Sequence, residues 1–119
     1  VKNASLPARL GYARDGIRLI WRREKTFRTH CLFALAALGA AALLGIGPVW
    51  WAIIILCIAL VFALEAMNSA FEYAIDRLHP ELHEEIGHAK DAAAGAVLLA
   101  SMGAAIVGTL MLLDWSLRS

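Results

Sequence analysis

The residues able to do chemistry are concentrated between Leu64 and Asp91. Glu65, Asn68, Ser69, Glu72 and Asp76 recur at three- and four-residue steps. At 100° per residue these five polar side chains fall within an arc of about 100° on one helix face. Ala66, Met67, Ala70, Phe71 and Ala74 fill the rest of the helix. Carboxylates, an amide and a hydroxyl are the oxygen donors that Mg²⁺ accepts. Nucleotide sites commonly hold that ion with one or two carboxylates plus phosphate. Lys90-Asp91 follows, directly before the small-residue run Ala92–Ala96; a lysine there offsets phosphate charge. The chain contains no Walker A sequence, Gly-rich kinase loop or H-R-D motif. A phosphotransferase built on these residues therefore stands outside the common kinase folds. His79, His83 and His88 lie between the two acidic groups without a thiolate or a fixed fourth ligand, which argues against zinc.

The elements that must position these side chains are membrane helices. Hydrophobic residues make up 61% of the 119 positions, more than so small a water-soluble domain can bury. Residues 31–64 form 34 consecutive uncharged positions, too many for one span of about 20 residues. Gly45-Ile46-Gly47-Pro48 divides them, and Pro48 suits the first turn of a new helix. Residues 92–113 add a third uncharged run of 22. Trp50, Trp51 and Trp115 suit interfacial anchors. The pattern predicts an all-α membrane domain over residues 1–119. A surface helix occupies about 5–28, and spans occupy about 29–46, 49–78 (with a cytoplasmic extension) and 82–115.

Charge sets the orientation. Eight of the eleven Lys and Arg lie in residues 1–30, which places the N-terminus in the cytoplasm. Leu6, Leu10, Ala13, Ile17, Ile20 and Trp21 form an apolar stripe, and Arg14, Arg18, Arg22 and Lys25 a cationic one. That pairing marks a helix lying in a membrane interface; Gly11 and Gly16 are places where it is able to bend. The basic segment is long and three apolar runs follow it, unlike a cleavable signal peptide. It leads straight into an apolar stretch, so it offers no solvated basic face for nucleic acid. Cys31 and Cys57 sit in apolar runs, outside any disulfide or metal spacing.

Glu65-Ala66-Met67-Asn68-Ser69-Ala70-Phe71-Glu72, then Asp76-Arg77, then Ala89-Lys90-Asp91, resembles the prokaryotic diacylglycerol kinase family. Its pattern is E-x-x-N-[ST]-A-x-E-x-x-x-D with A-K-D downstream. Trp21, Glu24, Phe27 and Arg28 stand in matching order before the first span. The resemblance implies a homotrimer of three-span chains with active sites shared between neighbours, in the bacterial inner membrane. It implies transfer of the γ-phosphoryl of ATP, with Mg²⁺, to a lipid hydroxyl. Glu65 resembles the catalytic base, and Glu24 with Glu72 the metal-coordinating pair. Tyr12, Asn68, Glu81, His83, Lys90 and Asp91 match nucleotide-site positions, with Ser69 and Asp76 supporting them. Arg9, Arg14, Arg18, Ile17, Trp21 and Phe27 form the expected lipid surface. One position departs from the family: Ser5 stands where some members carry an arginine, and Arg9 lies a turn later. Arg28-Thr29-His30 and the run from Asp91 to Leu99 look more like the branch acting on undecaprenol than the branch acting on diacylglycerol.

Two other classes compete. A small cation-transporting subunit would use Glu65 and Glu72 as ion ligands. It would need polar residues deep in several spans, and the first and third apolar runs offer only Ser101 and Thr109. A purely structural subunit leaves the acidic stripe and Lys90-Asp91 without a purpose.

Overall fold

The computed structural model describes residues 2–119, and these form four α-helices. Helix α1 spans Leu6–Arg23, α2 Lys25–Leu44, α3 Pro48–Leu78 and α4 Glu84–Arg118. The last three are long and apolar enough to cross a membrane.

The expected single surface helix over 5–28 is two elements. Ser5 caps α1, its hydroxyl accepting from the Ala8 N–H at 3.4 Å. Gly11 and Gly16 do not break the helix. The break comes at Glu24, whose backbone is extended (φ −109°, ψ 105°). Arg28 stabilises that break. Its Nη1 donates to the carbonyls of Trp21 at 2.5 Å and Arg22 at 3.2 Å, satisfying acceptors that a helix C-terminus leaves open. Phe27 and Arg28 thus belong to α2, which begins at Lys25 and not near residue 29.

The turn between α2 and α3 follows from glycine and proline chemistry. Gly45 takes a left-handed conformation (φ 66°, ψ 44°). Its N–H reaches Ala42 O at 3.3 Å while the Ile46 N–H reaches Ala41 O at 3.3 Å, a Schellman closure. Pro48 then opens α3, where a missing N–H costs nothing. At the other end, His83 caps α4 by accepting from the Glu85 N–H at 3.1 Å. Glu84 and Glu85 in the first turn favour the positive helix end.

Helices α3 and α4 form an antiparallel hairpin, with α2 packed on α3. Ala41, Ile54 and Met111 make a buried cluster, flanked by Leu38, Leu44, Ile46, Trp50, Trp51 and Ile58. The Trp50 indole N–H donates to Asp114 Oδ2 at 3.0 Å. Trp50 therefore braces the helix ends, with Trp51 packed on the same cluster. Up-down-up connectivity sends the α2 N-terminus, the α3 C-terminus and the α4 N-terminus to one end of the molecule. Every acidic residue of the stripe lies toward that end.

Candidate active site

Among the described residues, Glu65 and Ser69 are the buried polar ones, each 5% exposed. With Ile54 and Val61 they make the inward face of α3, at steps of seven, four and four residues. One chain buries Glu65 by itself, so no neighbour is needed to shield it. A lone carboxylate there would be costly. It is compensated on one side: Oε2 lies 2.6 Å from Nδ1 of His30, on α2. Oε1 is buried without a hydrogen-bond partner, and so is Oδ1 of Asn68, one turn along.

Below Glu65 the stripe meets the α1–α2 break. Because Glu24 is outside both helices, its carboxylate is free to turn to α3, where the Tyr73 hydroxyl donates to Oε1 at 2.6 Å. Tyr73 also takes the Arg23 guanidinium over its ring, 5.2 Å from the centroid. Glu72, adjacent to Tyr73, is half-buried. Asp76 pairs with Lys90 of α4, tying the two hairpin arms together. Asp91 is exposed.

Other expected residues lie apart. Tyr12 is 54% exposed on α1. Glu81 is exposed on the α3–α4 linker, where His79 Nδ1 contacts its carbonyl at 3.1 Å and its carboxylate at 3.4 Å. His83 spends its Nδ1 on the α4 cap. Arg9, Arg14 and Arg18 are exposed along α1, with Arg14 3.4 Å from Asp15. Ile17 and Trp21 are exposed beside them. Phe27 is not part of that surface. It is 5% exposed and packs edge-on against Phe62 with centroids 5.0 Å apart, because the break at Glu24 turns α2 inward.

Among the described residues, no three His, Cys, Asp or Glu side chains gather as a ready metal cage. Mg²⁺ takes few protein ligands and completes its shell with phosphate and water. The donors present are hard oxygens. Asn68 Oδ1, buried and unpartnered, is the kind of atom a bound group would satisfy.

Sequence reasoning gave no role to His30 or Tyr73. The missing signal was register. His30 and Glu65 each lie 17 residues from the Gly47–Pro48 bond, on opposite sides. Ala41 and Ile54 each lie six residues from it, and they meet in the core. Folding the chain about that bond brings each pair together.

Residues 11–112 match the family described as prokaryotic diacylglycerol kinase. The chain is 36% identical over 106 residues to a diacylglycerol kinase of Escherichia coli (strain K12), covering 89% of this chain and 85% of that protein. It is 37% identical over 99 residues to an undecaprenol kinase of Bacillus subtilis (strain 168), covering 81% and 80%. A diacylglycerol kinase of Haemophilus influenzae is 34% identical over 89 residues, covering 75% of each chain. A match of this extent, on a bundle of membrane-length helices with a buried carboxylate at its centre, makes the chain a member of the prokaryotic diacylglycerol kinase family, an integral-membrane lipid kinase.

Proposed function

We propose that this chain transfers the γ-phosphoryl group of MgATP to the hydroxyl of a membrane lipid, diacylglycerol or undecaprenol. It acts at the cytoplasmic face of the bacterial inner membrane, as a homotrimer. The observation that carries the reading is Glu65 Oε1, a buried carboxylate oxygen without a partner on a membrane helix. Such an atom is strongly disposed to accept a hydrogen bond, and a lipid hydroxyl arriving from the bilayer supplies one. The proton passes to Oε1 as the lipid oxygen bonds to the γ-phosphorus. The bond to the β–γ bridging oxygen breaks, and ADP leaves with the electron pair. Phosphoryl transfer needs mainly positioning and charge neutralisation.

Glu24 and Glu72 would hold Mg²⁺, which offsets phosphate charge when bound. Tyr73 fixes the Glu24 carboxylate for that task. Lys90 supplies further positive charge, with Asp76 holding its ammonium. Asn68 and Asp91, with Tyr12, Glu81 and His83, complete the nucleotide side. The lipid approaches along α1, past Arg9, Arg14, Arg18, Ile17 and Trp21. Cation transport finds no support, since the family is one of kinases and the polar stripe lies on α3 alone.

The test is purified protein in mixed micelles with ATP and Mg²⁺, offered diacylglycerol and undecaprenol separately. Phosphorylated lipid is expected from at least one. Transfer to neither would remove the proposal.

A further inference from the structure

We propose that His30 is a positioning residue for Glu65, fixing which carboxylate oxygen acts as the base; this rests on the kinase reading above. The pair is built from two helices. His30 Nδ1 on α2 lies 2.6 Å from Glu65 Oε2 on α3, while Oε1 is buried and free. An ionised carboxylate only accepts hydrogen bonds, so Nδ1 carries the proton. With Oε2 engaged, the carboxylate cannot turn in place without losing a charge-assisted bond. Oε1 is thereby the carboxylate oxygen left without a partner for an incoming hydroxyl.

The surroundings make that bond matter. His30 lines an apolar cavity of about 450 Å³ with Phe33, Cys57, Phe62 and Ser101. Ser101 Oγ in its wall is buried without a partner, as Glu65 Oε1 is. Phe27 against Phe62, one helical turn from each member of the pair, fixes the spacing of α2 and α3 at this level. His30 touches Glu65 and needs no contact with lipid or nucleotide, so it acts through the carboxylate.

Two substitutions and one spectrum test the assignment. His30→Ala should lower kcat roughly 10²-fold, the scale of a misplaced reacting group. KM for lipid and for ATP should stay near the wild-type values. His30→Asn puts an N–H close to the Nδ1 position and should recover most of the loss; His30→Gln, whose amide lies farther out, should not. Histidine ¹⁵N spectra of the full-length protein in lipid need no turnover. They should show an Nδ1-protonated imidazole signal that is absent in His30→Asn and shifted in Glu65→Gln. Unchanged kcat in His30→Ala, a loss confined to KM, equal losses in His30→Ala and His30→Asn, or His30 resonances indifferent to Glu65→Gln would each overturn it. If no lipid is phosphorylated at all, the kinase reading fails, and the spectra still decide whether the pair exists.

Discussion

At the scale of residues, the carboxylates are separated by environment. Glu65 is buried against apolar helices, Glu24 is fixed by a phenol, and Asp76 is held by an ammonium. Replacing Glu65 with Gln preserves shape and leaves the core intact but removes the proton acceptor. A general base contributes about 10²–10⁴-fold. Glu65→Gln should therefore fold normally and lose turnover by that factor, measured as phosphorylated lipid per protein. Near-normal turnover would exclude the role. Tyr73 gives a finer prediction. Groups behind a metal ligand typically contribute about 10–100-fold to metal affinity. Tyr73→Phe should raise the Mg²⁺ concentration giving half-maximal rate by about tenfold, while the rate at saturating Mg²⁺ changes little. Glu24→Gln and Glu72→Gln should shift the same titration further. Three unchanged titrations would show that the metal is held elsewhere.

At the scale of elements, two short features set the geometry: the break at Glu24 and the turn at Gly45. An added Cβ at Gly45 meets no atom within 4 Å, so the obstacle to alanine is its positive φ alone. Gly45→Ala should destabilise by about 1 kcal/mol and lower the thermal midpoint in detergent. Gly11→Ala, inside a regular helix with equal room, should instead be neutral or stabilising. A comparable drop for both would deny the turn its special role. These elements also mark how far the sequence could be read. Three apolar runs and the Gly45–Pro48 interruption located the spans, because uncharged length and helix punctuation are local signals. The stripe from Glu65 to Asp76 was legible for the same reason. The break at Glu24 was not, since no glycine or proline announces it. It depends on Arg28 reaching back across seven positions to Trp21. That one missed bond is why Phe27 was expected on the exposed surface and not against Phe62.

At the scale of the molecule, the site is drawn toward one end of a body 56 × 38 × 23 Å in extent. Within one chain, His30, Glu65, Glu24, Tyr73, Asp76 and Lys90 are linked as three pairs with no bond between pairs. Sharing of sites between subunits is open to a mixing test. If Glu65 of one chain serves with Lys90 of a neighbour, an inactive Glu65→Gln protein co-assembled with an inactive Lys90→Ala protein should regain activity. Recovery arises because some mixed sites escape both changes. No recovery, with subunit exchange confirmed by cross-linking, would assign both residues to a site within one chain.

The length of α3 turns the enzyme into a gauge of its own membrane. The helix has 31 residues and one uninterrupted axis, about 46 Å at 1.5 Å per residue, against a hydrocarbon slab of about 30 Å. Trp50 and Trp51 stand near its N-terminal end, and about 22 Å of helix separates Trp50 from Glu65. If the tryptophans hold one boundary of the slab, Glu65 lies several ångströms short of the other. A thicker slab submerges it further, and a thinner one lifts it toward the headgroups. Glu65 and Asp76, which holds Lys90 of α4, sit on the same stiff rod, so they rise and sink together. On the proposed chemistry, bilayer thickness would govern whether a lipid hydroxyl and a water-borne nucleotide meet at the same depth.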